Sequence, residues 1–273
     1  MDLGLQDKVA LVVASSTGLG LAAARQLALE GAKVALCGRS AQKLAEAEAA
    51  LKAEIGSETA TSAGSASRIA SFTCDVTDKT QIDRLVADVV AHFGGLDILI
   101  TNAGGPAGGT FDTTGLDAWQ HAIDLTLMSV VHLVKAALPH LRHSAAASIL
   151  TITSISVKEP IGGLLLSNVL RPGVVGLTKA LSQELAAENI RVNSILPGWT
   201  ATERVNHIFE YRASVSGATA DFERDKITSA IPMGRMAEPA EFGNVAAFLV
   251  SPAASYVTGL MMQVDGGSYS GLL

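Results

Sequence analysis

The chain has 273 residues, 48% of them hydrophobic and only 4% aromatic, which suits one large α/β domain or two small ones rich in aliphatic strands. Its net charge is −6 with no basic cluster, which argues against a nucleic-acid partner. No run of about 20 uninterrupted apolar residues is present to span a membrane.

The opening segment MDLGLQDK lacks the basic-then-apolar pattern of a signal peptide. Val9 to Val13 is a continuous apolar run, as in a strand buried on both faces. Ala14-Ser15-Ser16-Thr17-Gly18-Leu19-Gly20 is a turn of small residues, and Leu19 to Leu29 reads as an Ala-rich helix stopped by Gly31. Strand, tight turn and helix N-terminus together make a cradle for a pyrophosphate, because free backbone N–H groups and the helix dipole face the anion.

Lys33 to Cys37 is a second strand, and Ala41 to Ile55 a helix. The segment 56–67 is small and polar and reads as a surface loop without chemistry. Ile69 to Cys74 is a third strand, closed by Asp75-Val76, with Thr77 or Asp78 capping a helix through His92. Cys37 and Cys74 each end an apolar run without metal-ligand spacing and read as buried free thiols in a reducing cytoplasm. Leu96 to Thr101 is a fourth strand, turned by Asn102-Ala103-Gly104-Gly105. A long helix starts at Asp117 and is expected to stop at Pro139.

Ser148 to Thr153 is the fifth strand, and Ser154 to Leu166 a loop. Gly173 to Glu188 is a helix with Val174, Leu177, Leu181 and Leu185 on one face. Arg191 to Leu196 is the sixth strand, left through Pro197-Gly198-Trp199-Thr200. Residues 201–236 read as irregular and partly helical, followed by a helix from Pro239 and a last strand, Leu260 to Val264. Strands and helices alternate without a linker. This predicts one α/β domain over residues 1–273, a doubly wound parallel sheet of about seven strands with helices on both faces.

The pattern resembles the short-chain dehydrogenase/reductase family over essentially the whole chain, nearest to its 3-oxoacyl-ACP-reductase-like branch. Gly18-Leu19-Gly20 matches the second half of the family's glycine-rich turn, Asp75-Val76 its adenine-side pair, and Asn102-Ala103-Gly104 its Asn-Ala-Gly turn. Ser154 matches the active-site serine, Pro197-Gly198 and Thr200 the segment beside the nicotinamide, and Asp265-Gly266-Gly267 the C-terminal signature. The resemblance implies a Rossmann fold, a cytoplasmic homodimer or homotetramer, and 201–236 as a substrate lid. It also implies a carbonyl or alcohol as small-molecule substrate, which Gly108, Gly109, Gly162 and Gly163 leave room for. Ala14, Ser16 and Thr17 complete the cofactor turn. Arg39 at the end of the second strand suits the 2′-phosphate of NADP(H), with Ser16 and Ser40 beside it, over the 2′-hydroxyl of NAD(H).

The family's catalytic Asn, Tyr and Lys are absent. Their positions fall on Thr126, Ser167 and Arg171. Ser167 is a far weaker acid than a phenol, whereas Arg171 can serve as a fixed cation and ribose donor. Pro172 disfavours helical geometry before it, so a helix start near Arg171 and a loop at Ser167 are expected. Lys158 and Glu159, or Glu203, His207 and Tyr211 of the lid segment, are candidates to supply the missing proton; Tyr256 and Tyr269 read as packing residues. Three readings stay open: an NADP-dependent oxidoreductase with an atypical site, a non-catalytic nucleotide-binding homologue, and a nucleotide-independent dehalogenase-like enzyme.

Overall fold

The computed structural model describes residues 1–58 and 68–272. Seven parallel strands form one sheet in the order β3-β2-β1-β4-β5-β6-β7. They are β1 (Val9–Val12), β2 (Lys33–Gly38), β3 (Ile69–Thr73), β4 (Ile98–Thr101), β5 (Ser148–Ile152), β6 (Arg191–Pro197) and β7 (Met261–Val264). The order reverses beside β1, between β1 and β4, which is where a doubly wound sheet opens its crevice. Strand β1 shows why the sheet is buried on both sides. Val9 and Leu11 pack into one core with α3 (Lys79–Phe93) and α5 (Ser129–Leu141), whereas Ala10 and Val12 pack into the other with α1 (Gly18–Leu29) and α9 (Pro239–Val250).

Helix α2 (Ala41–Glu58) takes the first residues of the expected 56–67 loop, and the rest of that segment lies outside the described residues. Asp78 caps α3, accepting from the N–H groups of Thr80 and Gln81. The long helix expected from residue 117 runs unbroken from Leu116 to Leu141 and carries a π-helical turn within it. Helix α4 (Leu116–Ile123) passes into a π-helical turn, Asp124–Met128, and then into α5. Pro139 does not end α5, which runs on to Leu141. Val130, Leu133, Val134, Ala137 and Leu141 face the core, so tertiary packing outweighs the lost hydrogen bond.

The second proline is also overridden. Helix α6 runs Leu165–Glu184 with Pro172 inside it, so Ser167 lies on a regular helix and not in a loop. Three observations explain this. Pro172 lies on the exposed face of the helix, so its ring displaces no core side chain. The Asn168 side chain accepts from Ile161 N–H (3.1 Å) and donates to Ile161 O (2.9 Å), pinning the first turns. Leu166, Leu170 and Val174 are buried. Together these outweigh a proline penalty of about 3 kcal/mol. Residues 201–236 contain two defined helices, α7 (Glu203–Ser216) and α8 (Ala220–Ala230).

Candidate functional site

The C-terminal ends of β1, β4, β5 and β6 surround one cleft of about 500 Å³. At one end lies the turn after β1. Ser15 anchors it, donating to Val12 O (2.7 Å) and accepting from Cys37 N–H (3.0 Å). Ala14 sits at φ 50°, a left-handed conformation that favours glycine over alanine. Thr17 precedes α1 without a side-chain cap, so the first-turn N–H groups face the cleft unspent. Gly18 has φ 61°, and a Cβ on Gly20 would lie 2.3 Å from Ala14 O. Only glycine lets the helix start sit this close to the turn. Asn102 Nδ2 donates to Ala14 O (3.3 Å) and ties the β4 turn to the cradle.

Ser16, Thr17, Gly18, Leu19 and Arg39 line this end, as expected from sequence, with Val76 further along. Lys43 of α2 lines it too, a residue the sequence reading missed. Asp75 follows β3 beside Val76, and its carboxylate accepts from Thr77 N–H (3.0 Å) and Thr77 O–H (2.8 Å). The Thr77 backbone bond, then the Thr77 hydroxyl and the charges of Arg39 and His121, hold its pKa below the usual range. Asp75 therefore shapes the turn that presents Val76.

At the other end, Ser154, Ser167 and Arg171 line the same cleft. The four-residue spacing on α6 brings Arg171 Nε to Ser167 Oγ at 2.9 Å. Arg171 Nη1 donates to Thr153 O (2.6 Å) and Ile152 O (3.4 Å), which locks α6 onto the end of β5. Burial, and then the charge of Arg204, lower the Arg171 pKa to about 10, so it remains a cation at neutral pH. Ser154 Oγ accepts from Ser156 N–H at 3.1 Å. Each serine oxygen thus takes a hydrogen bond from the protein and keeps its own O–H for another acceptor.

Asn102, Ala103 and Gly104 floor the middle of the cleft, and Pro197, Gly198 and Thr200 close it. A Cβ on Gly198 would lie 2.7 Å from Asp265, so the Asp265-Gly266-Gly267 signature is the packing partner of that turn. The Thr200 hydroxyl is buried with no hydrogen-bond partner among the described residues. Thr126, in the π-helical turn, is likewise buried and unpartnered; it faces a side cavity of about 10 Å³ shared with Asn102 and Arg171. An uncapped helix start, a Gly20 contact that no Cβ fits and an orphaned hydroxyl at Thr200 are the features a dinucleotide would use, so these residues fit one.

Of the candidate proton donors, Lys158 places its Nζ 5.2 Å from the centre of the Tyr269 ring, and neither it nor Glu159 lines the cleft. Glu203 lines it but is paired with Lys43 (3.8 Å). His207 lines it, and Tyr211 lines a neighbouring cavity. Arg204, at the start of α7, was missed: one arginine in a variable segment carries no sequence signal.

A family model for enoyl-(acyl carrier protein) reductases matches residues 13–269. The chain is 35% identical to the dehydrogenase/reductase SDR family member 4 of Oryctolagus cuniculus, over 98% of this chain and 96% of that one. Among solved structures it is similar to the L-sorbose reductase of Gluconobacter frateurii complexed with NADPH and L-sorbose, with 31% identity, a TM-score of 0.91 and full coverage of both chains. It is also similar to an NADPH-bound short chain oxidoreductase of Pseudomonas aeruginosa PAO1 described as containing an atypical catalytic center, with 32% identity, a TM-score of 0.85, and 97% and 99% of the two chains covered.

Proposed function

The chain belongs to the short-chain dehydrogenase/reductase family, and we propose that it is an NADP(H)-dependent oxidoreductase that reduces a small carbonyl compound with an atypical catalytic set. The observation that carries this reading is the shared cleft: an anion cradle with Arg39 at one end, and Ser154, Ser167 and Arg171 at the other. The NADPH-bound relatives support the choice of cofactor, and the guanidinium of Arg39 suits a 2′-phosphate.

The α1 N-terminus and Ala14–Leu19 would hold the pyrophosphate, Arg39 and Ser16 the adenosine phosphate, and Arg171, Asn102 and Thr200 the nicotinamide half. When bound, NADPH supplies the hydride. The protein's part is electrostatic. Ser154 and Ser167 present two O–H donors to one substrate oxygen, polarising the carbonyl and receiving the negative charge that develops there. Arg171 donates to Ser167 Oγ, which makes the Ser167 O–H a stronger donor, and its fixed charge lies beside the forming alkoxide. An alkoxide is about as basic as a serine alkoxide, so Ser167 can pass its proton on and recover one from water at the open cleft. No phenol is needed for that step, only a charge that holds the hydroxyl in place. Residues 201–236 would cover the substrate, and a homodimer or homotetramer is the assembly we expect.

The test is NADPH oxidation across a panel of small ketones and aldehydes, beside nucleotide titration of the wild type and Arg39→Asp. The reading expects turnover with NADPH and a switch of preference to NADH in the variant. Tight NADPH binding without turnover would instead support the non-catalytic homologue, which the loss of the family tyrosine at Ser167 favours.

A further inference from the structure

Across the cleft from the serines, α7 carries positive charge without a negative partner. Arg204, His207, Ile208, Tyr211 and Arg212 fall at i, i+3, i+4, i+7 and i+8, one helical face. That face lines a second cavity of about 240 Å³, whose other wall is Gly108, Gly162, Gly163 and Leu164. Among the described residues, no acidic side chain lines this cavity. A backbone bond from Gly109 N–H to Gly163 O (2.8 Å) fixes the glycine wall. Arg204 lines both this cavity and the main cleft, so the two meet along it.

Both arginines lack a carboxylate partner among the described residues. Arg204 donates to the Pro106 carbonyl (3.1 Å), and Arg212 stacks over Trp199 at 5.3 Å. The neighbouring acid, Glu203, is turned to Lys43. Glu210 of α7 lines neither cavity. Arg171 also donates only to neutral oxygens, and it feels the charge of Arg204 directly. Two guanidiniums repelling each other across an active cleft, without an acid between them, favour an anion that supplies the missing charge. A carboxylate matches the planar fork of arginine better than a point anion does. The cavity holds about eight water volumes, room for a short carbon chain.

We propose that the substrate is an oxo acid: its carboxylate is held by Arg204 and Arg212 in the smaller cavity, and its carbonyl faces Ser154 and Ser167. This rests on the reductase reading and names the substrate class for that site.

The experiment pairs calorimetry with kinetics on the full chain. Two acids, 2-oxobutanoate and 4-oxopentanoate, are compared with their methyl esters. Calorimetric binding is expected for at least one acid and at least tenfold weaker for its ester. Arg204→Met and Arg212→Met should each raise the Kd of that acid tenfold or more, and Arg212→Met, which lines only the smaller cavity, should change the NADPH Kd less than twofold. Arg212→Lys should recover part of the affinity. In turnover the loss should fall on KM more than on kcat. The proposal is overturned by equal binding or equal kcat/KM of acid and ester, by binding of neither acid, or by a parallel loss of NADPH affinity in Arg212→Met, which would assign these arginines to the cofactor's phosphates. Acid binding without NADPH oxidation by any carbonyl would sink the reductase reading and leave the anion site standing.

Discussion

Replacing Arg171 with methionine separates what this side chain does for the fold from what it does for the site. Burial first, and then the charge of Arg204, lower its pKa from the usual guanidinium range to about 10. At 1.36 kcal/mol per unit, holding this cation in place costs the folded state about 3 kcal/mol. The folded pKa lies below the unfolded one. The cost is therefore fully present below about pH 10 and is relieved as pH rises from there toward the ordinary guanidinium range. Against it stand three hydrogen bonds, to Ser167 Oγ, Thr153 O and Ile152 O. Hydrogen bonds to a charged group contribute about 1.5–3 kcal/mol each when well formed, and the 3.4 Å bond to Ile152 less. At the low end of that range the two sides come within about 1–2 kcal/mol of each other. Methionine fills the aliphatic part of the volume and removes both. At pH 7, Arg171→Met is expected to leave unfolding stability within about 1–2 kcal/mol of wild type, a shift of a few degrees in Tm. NADPH affinity should fall at least tenfold, and carbonyl turnover by about a hundredfold or more. Thermal unfolding with and without NADPH reads both at once, because a ligand that binds only the folded state raises the midpoint by mass action. A loss of more than about 4 kcal/mol with an unchanged NADPH shift would show that Arg171 is a structural strut, and the functional argument would fail.

Other consequences can be measured directly. Ala14→Gly relieves a left-handed alanine and should raise stability by up to about 1 kcal/mol after the entropy of the added glycine, while tightening NADPH binding; a loss of stability would refute the strain. Ser154→Ala and Ser167→Ala should each cut kcat/KM by about a hundredfold with NADPH affinity retained, and effects under about threefold would dismiss the two-hydroxyl clamp. With a serine at the family's tyrosine position, and Arg171 held at about 10, kcat/KM for reduction should stay level from neutral to about pH 9 and fall above it; a limb near pH 7 would refute a serine as the proton donor. The hydrogen bond from Arg235, with help from the Glu238 N–H, lowers the Glu241 pKa from 4.5 to about 2. That contribution is present above about pH 4.5 and lost as pH falls toward 2, so Arg235→Gln should move the acid-unfolding midpoint upward, and an unmoved midpoint would exclude the pair.

What the sequence determined by itself was whatever short-range sterics and periodicity decide. The apolar run of β1, the small turn after it and the Ala-rich α1 place a cradle at residues 14–20 because each step depends on neighbouring residues alone. Ser154, Ser167 and Arg171 were placed by the resemblance to the family's catalytic pattern, not by local sterics. Tertiary structure decided the rest. Pro172 and Pro139 argue locally for helix ends, yet both lie inside helices, because Asn168 and the buried faces of α5 and α6 add more than each proline removes. The π-helical turn that presents Thr126 has no local signature. The Thr77 bonds that hold the Asp75 carboxylate were likewise unreadable before the turn closed. Arg204 and Arg212 were two charges among many until α7 set them on one face opposite glycine loops drawn from residues about 40 to 100 positions earlier. A site made by contacts over that distance is not written in any window of sequence, and here it is the part that bears on which substrate enters.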